Sequence, residues 1–203
     1  MSMPVMSMPV ISTPVMSTPV ALPCDADGIR LRALREDDLP RFLGYRSDAQ
    51  VARYQGWQTM DQAQAAAFLR EHSADAWAGP GHWFQLAIAD ASTDVLLGDL
   101  GVWLLNDRTE AELGITVAPA AQGRRIGRSA MRAAIALLFA DPAITRVRAN
   151  ADARNVSSRR MLAGAGFRET GTADVYVKEE ACVEHRYAVE RGEAAPAHTG
   201  DAP

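Results

Sequence analysis

Hydrophobic and polar residues alternate along much of the chain, and this two-residue period is typical of half-buried β-strands. It predicts seven strands, over residues 28–34, 83–89, 95–105, 110–117, 144–150, 167–177 and 182–190. Short polar runs between neighbouring strands are typical of turns.

Four other segments carry the signals of helices. They predict helices over residues 36–45, 61–78, 129–140 and 155–163. Thr59 and Gln62 fit a capping box for the second helix, and Asn155 is a candidate cap for the fourth. The order β-α-α-β-β-β-α-β-α-β-β favours an α+β fold with a mixed sheet over an all-parallel one.

Both ends of the chain depart from these patterns. Residues 1–20 form the pentads MSMPV, MSMPV, ISTPV and MSTPV, and proline at every fifth position blocks helices and central strands. We therefore predict a disordered tail over 1–27, one folded domain over 28–191 and a second disordered tail over 192–203. A partner-binding arm is the alternative interpretation of the first tail.

Composition argues against several classes of function. The 203 residues carry a net charge of -4, which disfavours a general nucleic-acid binder, and no apolar run suits a transmembrane helix. Two cysteines are too few for a disulfide scaffold, and the four scattered histidines add no zinc-ligand spacing, so no metal site is predicted. We expect a cytoplasmic protein that binds neither membranes nor nucleic acids.

The charge is concentrated in one part of the chain. Between Gln122 and Arg160, nine arginines oppose only Asp141 and Asp152, which gives this segment a charge of +7. Such a concentration favours an anion site built mainly from one segment. Solvated surface arginines are the alternative.

Within that segment, a loop leads from a strand into a helix. Its amides in the first helical turn are unpaired, its two glycines let a ligand approach the backbone, and its three arginines add positive charge. This chemistry suits a pyrophosphate, and a glycine turn on an arginine-rich surface is the alternative. The candidate binding residues are Gln122, Gly123, Arg124, Arg125, Ile126, Gly127 and Arg128.

The same loop resembles a family signature. Residues 122–127, QGRRIG, resemble the Q/R-x-x-G-x-G/A motif of the GNAT-superfamily N-acetyltransferases, with Arg125 where a central glycine is usual. Asn155 and Ser158, followed by LAGAGF over 162–167, resemble the N-x-x-S…L-x-x-x-G-F pattern of the branch containing the ribosomal-protein-alanine acetyltransferases. The resemblance covers the whole predicted domain. It implies a three-layer fold in which helices flank a mixed, mostly antiparallel sheet.

The resemblance also implies that acetyl-CoA is the co-substrate. It places the pantetheine arm along the strand residues Ile115, Thr116 and Val117, and the pyrophosphate on the loop described above. Asn155 either caps its helix or contacts the pantetheine amide, and one residue can do both.

By the same resemblance, an acceptor amine attacks the acetyl thioester directly. Glu112 matches a strand carboxylate that serves as the base, and Ser158 matches a serine that protonates the leaving thiolate. A surface ion pair and a structural helix serine are the respective alternatives. Leu162 stands where many members carry a tyrosine. Together with Arg125, it leaves open a non-catalytic acyl-CoA-binding or regulatory module on the same fold.

The acceptor is less constrained by the sequence. Tyr54, Trp57, Trp103 and Tyr176 are candidates to line its cleft, and core packing is the alternative for each. A small-molecule amine and a protein N-terminus both fit. The chain is expected to act as a monomer or a homodimer.

Overall fold

The computed structural model describes residues 21–73 and 79–192. Within these ranges the strands are β1 (Cys24–Ala26), β2 (Ile29–Ala33), β3 (Trp83–Asp90), β4 (Leu96–Leu104), β5 (Glu110–Val117), β6 (Arg146–Asp152), β7 (Arg168–Val177) and β8 (Glu180–Glu190). The α-helices are α1 (Leu39–Arg46), α2 (Ala49–Ala52), α3 (Gln62–His72), α4 (Ile126–Phe139) and α5 (Val156–Ala165).

The strands form a single sheet in the order β1-β2-β3-β4-β5-β6-β8-β7. Neighbouring strands are antiparallel, except that β5 and β6 run parallel. The ladder between these two strands ends where Glu112 pairs with Arg148, although β5 continues to Val117. The two strands therefore diverge after Glu112 and leave a gap in the middle of the sheet.

Helices cover both faces of this sheet. Phe84 of β3 packs with Met131 of α4 in one hydrophobic cluster. Ala87, which points to the opposite face of β3, joins Phe42 of α1 and Leu69 of α3 in a second cluster. The structure thus confirms the predicted three-layer α+β fold with a mixed, mostly antiparallel sheet.

Side-chain caps fix the starts of two helices. Asp61 Oδ1 accepts a hydrogen bond from the Gln64 amide at 2.8 Å, and Gln64 Oε1 accepts one from the Asp61 amide at 2.9 Å. This capping box replaces the predicted pair of Thr59 and Gln62, so that prediction is wrong. Asn155 caps α5 as predicted, because its Oδ1 accepts a first-turn amide at 3.1 Å.

Several boundaries differ from the sequence prediction. Strand β1 occupies residues 24–26 of the predicted tail 1–27 and pairs with β2, so these three residues belong to the sheet. Helix α2 is an addition, and α4 begins at Ile126 rather than at residue 129. Residues 1–20, 74–78 and 193–203 lie outside the described part of the chain. The predictions of disordered tails and of a helix reaching residue 78 therefore remain predictions.

Two further searches of the described ranges bear on function. No helix in them is long and apolar enough to cross a membrane. The same residues contain no cluster of three or more side chains that could hold a metal ion. Cys24 and Cys182 are both free thiols.

Candidate functional site

The divergence of β5 from β6 leaves one edge of β5 outside the ladder from Leu113 onward. The opposite edge of β5 is paired with β4 as far as Val117. Gln55 reaches the open edge and donates through Nε2 to the Ile115 carbonyl at 3.2 Å. An open strand edge can pair with a ligand that carries amides of its own. The predicted pantetheine contacts Ile115, Thr116 and Val117 all belong to this stretch.

The end of β5 leads directly into the N-terminus of α4. Gln122 Nε2 donates to the Val117 carbonyl at 3.0 Å, which ties the loop to the strand. Gly123, with φ 74°, and Arg125, with φ 64°, turn the chain into the helix. A β-carbon at Gly127 would lie 3.5 Å from the Val117 side chain, so the first turn of α4 lies close to the strand. Its unpaired amides are therefore held near the open edge.

Three arginines surround this helix start. Arg124 and Arg125 are exposed, while Arg128 lies across Gly164 of α5, where a β-carbon would be 2.6 Å from its Nη2. Among the described residues, no carboxylate pairs with these arginines, and the first turn of α4 contains no acid. Uncompensated positive charge at the positive end of a helix favours an anionic ligand.

Arg125, at the position where the family motif has a glycine, has a left-handed backbone conformation. Its φ of 64° and ψ of 4° lie in the left-handed region, where a β-carbon crowds the following peptide. The cost for a residue other than glycine is roughly 1–2 kcal/mol. The loop therefore carries backbone strain at this point.

Glu112 lies at the point where the two strands diverge. Asn150 Nδ2 donates to its Oε1 at 3.3 Å, and Arg148 Nη2 lies 3.8 Å from its Oε2. Burial raises the pKa of the Glu112 carboxyl, while Arg148 lowers it and Glu184 raises it further. A carboxylate with a raised pKa is a stronger base, so this position combines access to the gap with basicity.

Asn155 and Ser158 lie at the start of α5. Asn155 Oδ1 accepts hydrogen bonds from the Ser158 amide at 3.1 Å and from the Ser157 hydroxyl at 3.0 Å. The cap therefore occupies the Asn155 oxygen. Within the described chain the Ser158 hydroxyl has no hydrogen-bond partner, so it takes no part in capping the helix.

A cavity of about 540 Å³ lies beside the gap, and Glu112, Tyr54 and Trp57 line it. Two of the predicted acceptor residues are not brought to this cavity. Trp103 is absent from its lining, and Tyr176 is 82% exposed on the hairpin of β7 and β8. Trp83, which is opposite Trp103 in the sheet register, lines the cavity instead. Tyr54 and Trp57 thus line the cavity, and Trp103 and Tyr176 do not.

A buried ion pair at one end of the cavity was not predicted from the sequence. Arg46 of α1 pairs through Nη2 with Asp99 of β4, and the Tyr45 hydroxyl donates to the same carboxylate at 2.8 Å. The Arg46 guanidinium also lies 4.3 Å from the Trp57 ring centre. Burial raises the pKa of Tyr45 well above its usual value, which keeps the hydroxyl protonated. The signal in the sequence is Asp99 itself, a single acid within the apolar run LLGDLGVWL.

The hairpin of β7 and β8 borders the mouth of the cavity and contacts the helical side. Lys178 Nζ donates to the Ala52 carbonyl at 2.6 Å. Arg154 forms ion pairs with Asp152 at 2.8 Å and Glu180 at 2.5 Å. These contacts join the hairpin to α2 and β6.

Comparison with known proteins shows the relationship of the chain. Residues 29–168 match the family model described as an acetyltransferase (GNAT) domain. Comparison with curated proteins gives no significant match.

Several solved structures share the fold. An acetyltransferase of the GNAT family from Bacillus anthracis is 17% identical, with a TM-score of 0.75 over 83% of this chain and 98% of that chain. RimJ from Mycobacterium smegmatis, in complex with CoA-disulfide, is 20% identical, with a TM-score of 0.72 over 83% and 85%. Spermidine N-acetyltransferase from Vibrio cholerae, in complex with CoA and spermine, is 17% identical, with a TM-score of 0.69 over 82% and 98%.

Proposed function

The chain belongs to the GNAT acetyltransferase family, with acetyl-CoA as its co-substrate, and on that premise we propose that it acetylates a primary amine by direct attack. The acceptor is a small-molecule amine or a protein N-terminus, held in the cavity beside Glu112. The observation that carries the proposal is a basic carboxylate that lines a cavity at the point where β5 and β6 diverge.

The residues at the gap fit CoA. The open edge at Ile115, Thr116 and Val117 suits an arm with two amides, and the start of α4 with Arg124, Arg125 and Arg128 suits a pyrophosphate. When bound, acetyl-CoA supplies the acetyl group as a thioester. The protein then contributes orientation and an arrangement of fixed dipoles around the reacting groups.

Glu112 is the proposed base. A free α-amine has a pKa of about 8, so about a tenth of it is already neutral at pH 7 and little assistance is needed. The carboxylate accepts the departing amine proton directly or through a water. Asn150 and Arg148 orient the carboxylate. Burial favours this role because it raises the pKa of Glu112 toward the working range.

Ser158 is the proposed proton donor to the leaving thiolate. Its hydroxyl is free to reorient because Asn155 already accepts the first-turn amide of α5. Asn155 serves as the cap, and the remaining side-chain amide nitrogen is available to the pantetheine arm. Each side chain contributes modestly, since most of the rate derives from positioning.

The test is acetyl-CoA with a panel of amines, monitored by release of free thiol. Glu112→Gln is expected to lower kcat most at low pH and least at high pH, where the amine is neutral without help. Glu110→Gln is the matched control, because Glu110 lies on the same strand, pairs with Arg148 at 3.2 Å and does not line the cavity. An unchanged pH profile for Glu112→Gln would remove Glu112 from this role.

A non-catalytic acyl-CoA-binding module is the second candidate function. The left-handed Arg125 in the loop favours it, and so does Leu162, which is 1% exposed in the core where many members carry a tyrosine. CoA binding without thiol release across the whole panel would support this module and contradict the transferase.

A further inference from the structure

Three buried polar atoms at one end of the cavity lack a hydrogen-bond partner among the described residues. They are Arg46 Nε, His72 Nδ1 and Gln85 Oε1, from α1, α3 and β3. Leaving a buried donor or acceptor unpaired is destabilising. Three such atoms in residues that line one cavity, outside the residues proposed for the reaction, indicate a site for a polar ligand group.

Contacts through shared neighbours connect these three side chains. The Arg46 guanidinium carbon lies 5.2 Å from the centre of the Phe68 ring. The His72 ring stacks on the same Phe68 ring, with 4.2 Å between the two ring centres. Ser73, the next residue after His72, pairs with Gln85 in a parallel bridge. We call Arg46, His72 and Gln85 the distal subsite.

The charges at the distal subsite select against ionic groups. Arg46 would repel a second ammonium group, and its partner Asp99 would repel a carboxylate. Arg46 Nε donates and Gln85 Oε1 accepts, while a histidine nitrogen can do either. A neutral group that both accepts and donates, such as a carboxamide or a hydroxyl, matches these atoms in hydrogen-bond character.

The sheet register gives the separation of this subsite from the reaction. Gln85 is opposite Gly101 of β4, and Gly101 is opposite Gly114 of β5. Two strand spacings together with the two-residue offset to Glu112 give about 12 Å between the Cα atoms of Gln85 and Glu112. Trp57 and Trp83 line the cavity and offer apolar walls for a spacer.

We propose that the distal subsite binds a neutral amide or hydroxyl group of the acceptor, joined to the reactive amine by an apolar spacer that, with a hydrogen bond at each end, spans this separation of about 12 Å. The position of the amine rests on the proposed function. The position of the polar group rests on Arg46, His72 and Gln85 alone. The inference defines the acceptor as an amine with one uncharged hydrogen-bonding end, and it disfavours polyamines.

Binding to the CoA-bound protein tests this, with calorimetry as the readout and hexylamine, aminohexanamide, diaminohexane and aminohexanoate as the probes. The amide is expected to bind about tenfold more tightly than hexylamine, because it satisfies buried atoms that the alkyl chain leaves unpaired. The diamine and the carboxylate are expected to bind no better than hexylamine. Equal binding of the amide and hexylamine, or preference for the diamine, would overturn the proposal.

Two variants test whether the residues of the distal subsite produce the preference for the amide. Gln85→Leu and His72→Phe are each expected to reduce the preference for the amide to about twofold or less. Gln62→Leu, an exposed change at the start of α3, is the matched control and should retain it. A preference that survives both subsite variants contradicts the assignment, and CoA binding by each variant reports that it has folded. Amide-selective binding without acetylation would support the subsite while overturning the transferase.

Discussion

Arg125 allows the strain in the loop to be measured directly. Replacing Arg125 by glycine removes the β-carbon from a residue at φ 64°. Relief of left-handed strain contributes about 1–2 kcal/mol, and the greater freedom of glycine in the unfolded chain offsets about 0.4–1 kcal/mol of this. The net gain in the free energy of unfolding should therefore be about 0.5–1 kcal/mol, or about 2–3 °C in Tm.

Arg125→Ala is the matched control, since it removes the guanidinium and keeps the β-carbon. Thermal and urea unfolding of both variants then separate backbone strain from the loss of charge. Arg125→Gly is expected to be more stable than both Arg125→Ala and the unaltered chain. If Arg125→Gly were no more stable than Arg125→Ala, the reasoning would be refuted, because the two variants lack the same charge and differ only in the β-carbon.

The affinity for CoA is expected to fall in both variants, whereas the stability of Arg125→Gly is expected to rise. Either substitution removes one exposed positive charge beside the amides at the start of α4, where a single ion contact contributes about 0.5 kcal/mol. Both variants should bind CoA about twofold more weakly, with a smaller salt dependence, when measured by calorimetry. Arg125 would then lower the stability of the loop while its charge strengthens CoA binding. Unchanged affinity in both variants would place the pyrophosphate elsewhere.

Three other substitutions test separate parts of the structure. Burial favours the neutral form of Glu112 in the folded state, so its stabilising contribution is present at low pH and is lost as pH rises through the raised pKa. Glu112→Gln should therefore have the higher Tm near neutral pH, and the gap should narrow on acidification. Gly164→Ala places a β-carbon 2.6 Å from Arg128 Nη2, a flexible group, so CoA affinity should fall while circular dichroism shows an intact fold. Gly98→Ala places one 2.3 Å from the Thr116 carbonyl oxygen, which is backbone, and should lower Tm by several degrees in the same melts; an unaltered Tm would contradict that contact.

Local patterns were sufficient to predict most of the fold. Strands from β2 to β8 follow from strand-like runs between turn residues, although β4 is buried on both faces and does not alternate. Strand β1 was missed because three residues after a proline carry too little periodicity, and it forms only by pairing with β2. Helix α2 is a four-residue turn capped by Asp48, too short for an apolar stripe.

Part of the candidate site could likewise be predicted from the sequence, and part could not. The loop before α4 and the capped start of α5 are contiguous motifs, so the sequence can reveal them. Arg46 and Asp99 are far apart in the chain and meet only when α1 packs on the sheet. Trp103 and Tyr176 show the converse, because an aromatic residue carries no sequence signal for the direction in which its side chain points.

Lys178 has a practical consequence for handling the protein. It is the only lysine in the chain, and its ammonium group lies at the mouth of the cavity against the Ala52 carbonyl. Apart from the amino terminus, reagents that couple to amines can therefore attach only at this entrance. Immobilisation or dye labelling through lysine would obstruct the entrance of the cavity proposed for the acceptor, and an affinity measured on such a surface would describe a blocked protein. Attachment through an engineered tag avoids modification of Lys178.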